Sequence, residues 1–433
     1  MATTSSTRRR FLAGCAAVVA AAGLPAAQAR SRRPVVVLTA YPQETISRFE
    51  AAFEKAEPGA RLQVLWRLPH EMPAYLASPE GRGVDLVWAA SPRTFQALKR
   101  DGALAVLDAQ DVPRAGLPER LGGTTISDPD GHFLATEIAG YGFVYAPRQL
   151  ADLGLAVPAD WPDLAAPHWA GRIAAPVPSR VGFAPVLVDI VLQAFGWERG
   201  WALWSAIAGN ARWVNVGGTL IGDEVASGRA AIGLTIDFFA ASAVARGAPL
   251  RFAYPAHGGV NPAHVALLRR APNRAGALAF VRYVLSDAGQ LLLADPGIRK
   301  LPVRPSVYAR LPADYFNPFE AAARGGYGYD NAATQPRLGL LAALFEQAFV
   351  VDHAEHAALW RQLHAAEAAG RDVAAARALL EAPPLDAAAA ADPGLAAQLH
   401  FVEHGAPVPA SALEQGWRAA AAQRRRQAAA LLA

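Results

Sequence analysis

The sequence predicts an α/β protein of two lobes with a helical extension at its C-terminal end. Three observations lead to that prediction. Strand-like and helix-like segments alternate from Arg33 to about residue 100, and a second alternating set begins at Arg172. The last hundred residues differ in kind, being Ala-rich and helical in pattern. A chain of 433 residues with 53% hydrophobic content can bury a sizeable core and is too long for one ordinary domain.

The elements follow in order. Pro34 to Ala40 is a continuous apolar run rich in β-branched residues, as buried parallel strands show. Pro42 opens a helix whose Ile46, Phe49 and Phe53 share one face. Arg61 to Arg67 alternates as a second strand, and Val84 to Trp88 is a third. Helical stretches lie near His70–Ala77 and Pro92–Arg100. This succession predicts a parallel sheet with right-handed crossovers. In the second set Arg172 to Ala175 is a strand, and Phe183 to Phe195 is a helix apolar nearly all round, hence buried. Ala230 to Ile236 is another strand, with a helix starting at Asp237. His264 to Leu268 is again extended, and Asn273 to Leu285 is amphipathic. Segments 140–147 and 255–268 are expected to cross between the lobes. Helical runs at about 338–351, 353–369, 371–381 and 409–432 make the extension, and Ala387–Ala391 reads as a linker or helix end. The expected organisation is a leader over 1–29, lobe one over 30–140, lobe two over 141–262, a return to lobe one over 263–330, and the extension over 331–433.

The first 29 residues read as an export signal. Thr7 to Leu12 (TRRRFL) matches the twin-arginine pattern, an apolar stretch from Phe11 to Leu24 follows, and Ala27-Gln28-Ala29 is a small-x-small cleavage site. The apolar run has about 14 residues, short of the roughly 20 that span a bilayer. An uncleaved anchor is the alternative, and Leu12 to Cys15 also resembles a lipoprotein box, although it precedes the apolar stretch. Cleavage near Ala29 would remove Cys15, the chain's one cysteine, which excludes thiolate chemistry and disulfides from the mature protein. It would also remove Arg8, Arg9 and Arg10, so the formal charge falls from +4 to +4 − 3 = +1. With no basic patch interleaved with aromatics, nucleic acid is not an expected partner.

From the middle of the chain a resemblance emerges. Asp160 to Leu164 (DWPDL), Trp169 to Arg172 (WAGR) and Pro176 to Arg180 (PVPSR) resemble the second lobe of the iron- and phosphate-ester-receptor group of periplasmic solute-binding proteins. Gly196-Trp197, Gly209-Asn210, Ser227 to Ala230, Ile236-Asp237, Tyr254-Pro255, Leu285 to Gln290 and Leu359 to Glu367 continue it in order, so the likeness covers roughly residues 33–380. The resemblance implies the type II periplasmic-binding fold: two α/β lobes, a hinge of crossing strands, and ligand in the cleft. It further implies a periplasmic, monomeric receptor of an ABC importer, with no cofactor and no enzymatic activity. Its partners would be a small-molecule ligand and an inner-membrane permease. A periplasmic sensor partnering a membrane histidine kinase, and a ferric-ion receptor, are the alternatives.

Ligands of open α/β sheets sit beyond the carboxyl ends of strands. The candidates there are Tyr41 and Ser91 in the first lobe, and Ser179, Arg180, Thr219 and Asp237 in the second. Tyr41 and Ser91 could equally be turn or N-cap residues. Ser179 and Arg180 precede the buried helix, whose N-terminus favours an anion, and the guanidinium fork fits phosphate or carboxylate. They therefore point to a small anionic solute, foremost a phosphorylated metabolite; a capping Ser and a solvated Arg are the alternative. Val216 to Thr219 offers backbone N–H groups or simply a turn, and Asp237 either accepts from a ligand hydroxyl or caps its helix. Tyr141 is read as core packing. Iron receptors of the group present adjacent tyrosines; here Tyr327-Gly328-Tyr329 comes nearest, and on a strand both rings would share one face. His353, His356, Trp360, His364 and Glu367 form one helical stripe, read as a polar face packed on a neighbouring helix in preference to a metal site. No G-x-S-x-G, H-E-x-x-H or P-loop occurs.

Overall fold

The protein is described by a computed structural model covering residues 33–215, 219–399 and 410–433. The expected leader, with Arg8, Arg9 and Cys15, lies outside the described residues, as do Val216 to Gly218. The strands are β1 (Val35–Thr39), β2 (Leu62–Trp66), β3 (Leu86–Ala89), β4 (Arg120–Leu121), β5 (Thr124–Thr125), β6 (Leu134–Tyr145), β7 (Ile173–Pro176), β8 (Ala211–Val214), β9 (Ile232–Ile236), β10 (Arg251–Ala253), β11 (Val260–Leu267) and β12 (Leu301–Pro302). Apart from the small β4–β5 pair they join in the order β2-β1-β3-β11-β6-β9-β7-β8, with β10 and β12 also on β6.

Strand β6 divides the molecule into two lobes. Residues 134–140 pair with β11, and residues 141–145 pair with β9. One strand therefore belongs to both sheets. The expectation of parallel sheets holds for β1 with β2 and β3, and for β7 with β8 and β9. The crossing strands, for which the pattern makes no prediction, are antiparallel: β11 to β3 and β6, and β6 to β9. The reason is connectivity: the chain leaves the first lobe along β6 and re-enters it along β11, so the two crossing strands run in opposite directions.

Each lobe has its own core. In the first, Phe49 and Phe53 of the helix Gln43–Ala56 are fully buried against Trp88 and Phe280. Burying each such ring contributes ~1.5–3 kcal/mol. In the second, the helix Ala184–Phe195 is buried from Ala184 through Leu192, as its all-round apolar sequence predicts. The C-terminal helices complete that second core. Leu338, Leu341 and Phe345 of the helix Leu338–Phe345 lie among its residues, and Phe345 meets Trp204 at 5.3 Å between ring centroids. A π-helical turn, Glu346–Val350, leads to the helix His353–Ala368. The last helix, Ala412–Leu432, starts in a capping box of Ser411 and Glu414. Its buried Arg425 binds Asp352 at 2.7 Å, Glu355 at 3.0 Å and the Ala348 carbonyl at 3.2 Å.

Candidate ligand-binding cleft

Groups from both lobes meet around β6, the strand the two lobes share. The carboxyl end of β1 delivers Tyr41, whose buried hydroxyl donates to Glu137 of β6. Lys300, next to β12, places its ammonium 3.3 Å from the same Glu137 oxygen. That ammonium stands 4.4 Å from the Tyr41 ring centroid in the first lobe and 5.4 Å from Phe238 in the second. Lys300 therefore touches an aromatic ring of each lobe. The preceding residue, Arg299, has φ +47°, a left-handed conformation uncommon for a residue other than glycine.

Asp237 ends β9 and starts the helix Asp237–Ala245, as the sequence indicates. One carboxylate oxygen takes the N–H of Gly140 at 2.8 Å and the hydroxyl of Tyr254 at 3.0 Å; the other, like Oε2 of Glu137 and the hydroxyl of Tyr327, is buried without a hydrogen-bond partner. Burial pushes the Asp237 carboxyl up to about 7, although Gly140, Tyr254 and Lys300 each favour the charged form. A Cβ on Gly140 would come within 2.5 Å of the Tyr254 ring, so glycine at the mid-point of β6 is what admits Asp237 and Tyr254 to the hinge. Burial and the neighbouring carboxylates push the hydroxyls of Tyr41 and Tyr254 well above the usual tyrosine range, so both stay neutral donors.

The other candidates are placed differently. Ser91 stands before the helix Pro92–Arg100, its hydroxyl 2.8 Å from that of Thr94. Ser179 donates to Glu346 at 2.6 Å, and Arg180 lies 3.4 Å from the same carboxylate. Aromatic contacts from Phe183 to Phe239 (5.7 Å) and on to Phe238 (4.2 Å) connect this turn to the Lys300 site. The helix after residues 216–218 begins at Thr219. Tyr141 is buried in the second core. Tyr327 and Tyr329 do not share a face. Tyr327 packs in the first core and Tyr329 in the second, because the chain crosses the lobes a third time between them. The histidine stripe packs on the helix Trp197–Asn210: His353 bonds the Ala208 carbonyl, His356 the Ser205 carbonyl, and Trp360 the Ser205 hydroxyl.

These lobes, crossings and cleft have recognisable relatives. Residues 83–321 match the family model described as bacterial extracellular solute-binding protein. The phosphoglycerate transport regulatory protein PgtC of Salmonella typhimurium is 31% identical over 380 residues, covering 84% of this chain and 89% of that protein. The chain belongs to the bacterial extracellular solute-binding proteins. Two solved members of the fold are similar in shape. Iron-bound HitA from Pseudomonas aeruginosa (TM-score 0.53, 15% identity) covers 71% of this chain and 99% of that one. AfuA from Actinobacillus pleuropneumoniae, with fructose-6-phosphate bound (0.52, 17%), covers 73% and 99%. The solute-binding protein thus has the two-lobed type II architecture, with helices added at its C-terminal end. Among the described residues no helix is long and apolar enough to cross a membrane.

Of the residues singled out at strand ends, Tyr41 and Asp237 lie at the hinge of this solute-binding protein, beside Glu137, Tyr254 and Lys300, which strand ends do not single out. Two signals were available. Glu137 is the one charge in the apolar run Phe133–Val144, and Lys300 is one of three lysines among 41 basic residues.

Proposed function

We propose that this protein is the periplasmic receptor of an importer and that it holds a small anionic, hydroxyl-bearing solute, a phosphorylated metabolite, between its lobes without transforming it. The Lys300 site carries this reading. An ammonium has three donors, and one is spent on Glu137. At the same hinge, atoms of Glu137, Asp237 and Tyr327 are buried without partners, where leaving hydrogen bonds unmade is costly, and a solute with anionic groups and hydroxyls would satisfy them. The name of the Salmonella relative and the sugar phosphate bound by AfuA agree in chemical class. Ferric ion is less well matched: the adjacent aromatics beside Asp237 are Phe238 and Phe239, which carry no hydroxyl, and Tyr327 and Tyr329 point into different cores.

Contacts to both lobes would hold them together, so the solute acts by stabilising one arrangement of the hinge. The receptor would leave the cytoplasm by the twin-arginine route and meet a membrane permease. A second reading, a sensor reporting to a membrane histidine kinase, is favoured by the regulatory name of the relative. The test is calorimetry of the chain with 3-phosphoglycerate, plain carboxylates and ferric citrate. The phosphate ester should bind, and Lys300→Met should weaken it by ~1.5–3 kcal/mol, the range for a hydrogen bond to a charged group. Tight binding of ferric ion alone would overturn the reading.

A further inference from the structure

The Ser179–Arg180 turn has the chemistry of an anion site, and in this structure a carboxylate of the same chain occupies it. Glu346 receives the Ser179 hydroxyl at 2.6 Å on one oxygen and faces Arg180 at 3.4 Å with the other. We infer that the Ser179–Arg180 turn is an anion subsite whose resting occupant is Glu346 of the C-terminal extension, so that an anionic group of the solute enters by displacing it and loosens the tail. The inference rests on the reading of the cleft as a receptor for a phosphorylated solute.

Three observations support exchange. The Arg180 side chain is 42% exposed and its contact long, and an ion pair of that kind holds weakly against a competitor. A phosphate brings three acceptor oxygens and more charge to the same fork than a carboxylate does. Glu346 also opens the π-helical turn 346–350, an irregularity that in helices is often found at functional sites. Displacement would reach the last helix directly, because Arg425 donates to the Ala348 carbonyl inside that turn and pairs with Asp352 and Glu355 just beyond it. The aromatic contacts from Phe183 through Phe239 to Phe238 connect the subsite to Lys300.

The experiment titrates the full chain with inorganic phosphate and follows amide exchange over 338–352 and 412–432. Glu346→Gln keeps an acceptor for Ser179 but removes the competing charge. It should bind phosphate at least tenfold more tightly than the native chain, a gain that a misfolded variant could not produce. Adding Arg180→Ala should abolish the gain, and phosphate should speed exchange in both segments of the native chain. Equal affinity in native and Glu346→Gln proteins, absence of phosphate binding by both, or a gain that survives Arg180→Ala would each overturn the inference. The two readings fail separately. Lys300-dependent binding of 3-phosphoglycerate with no effect of Glu346→Gln leaves the receptor and removes the displaceable carboxylate; the phosphate contrast without 3-phosphoglycerate binding does the reverse.

Discussion

Two cation–carboxylate pairs of nearly equal length differ sharply in burial. Lys300 and Glu137 are 3.3 Å apart with side chains 7% and 1% exposed; Arg180 and Glu346 are 3.4 Å apart at 42% and 15%. The inner pair lies on β6 and next to β12, inside the hinge. Separating it would strand a charge in a dry interior, so it is bound up with the fold itself. The outer pair faces water, its attraction is screened, and either partner can be exchanged for another ion. The same chemistry is structural where it is buried and replaceable where it is exposed.

The largest expected effect tests the inner pair. Lys300→Met leaves the Glu137 charge buried without a counter-ion and should cost ~3–5 kcal/mol of stability, read from the urea midpoint at unchanged slope. Replacing Glu137 by Leu in the same chain should restore most of it, since a buried pair exchanged for apolar groups is often neutral. A single variant as stable as the native chain would mean that solvent reaches Glu137, and the contrast with the outer pair would collapse.

Asp237 adds a pH dependence to the hinge. Its carboxyl is raised from 3.8 to about 7 by burial, so between those values the folded chain holds a proton that the unfolded chain has released. Stability from this group is complete below about pH 4 and is lost as pH rises towards and through 7, by up to ~4 kcal/mol at one pH unit per 1.36 kcal/mol. Asp237→Asn should flatten that part of the profile. Denaturation curves at pH 5 and pH 8 compare the two chains directly; parallel profiles would place Asp237 in contact with water.

The smallest effect belongs to the outer pair. Arg180→Ala should change the stability of the unliganded protein by no more than ~1 kcal/mol. A loss as large as that of Lys300→Met would show that the outer pair is as structural as the inner one.

Local pattern accounts for much of the fold. The β-branched run at Val35–Thr39, the one-faced helix with Phe49 and Phe53, and the all-round apolar helix Ala184–Phe195 are each written in residues a few positions apart, so periodicity alone announces them. Strand ends singled out Tyr41 and Asp237, and the structure brings both to β6, Tyr41 bonded to Glu137 and Asp237 to Gly140. The sequence was less able to announce β6. Its glycines and its single Glu137 break the apolar pattern, and those same features let one strand serve two sheets and carry the hinge charge.

Pairings between distant segments were decided only in three dimensions. Lys300 meets Glu137 from 163 positions away, Ser179 meets Glu346 from 167, and Trp204 packs on Phe345 across a similar span. Nothing near Ser179 in the chain says that its turn is already occupied by a carboxylate, and nothing in Tyr327-Gly328-Tyr329 says that the two rings part into different lobes. Periodicity fixes which face of an element is buried, because that depends on neighbours one turn or one pleat away. Which segment covers that face, and whether the covering group also closes a binding site, depends on how the lobes and the tail pack, and that is set by contacts spread over the whole chain.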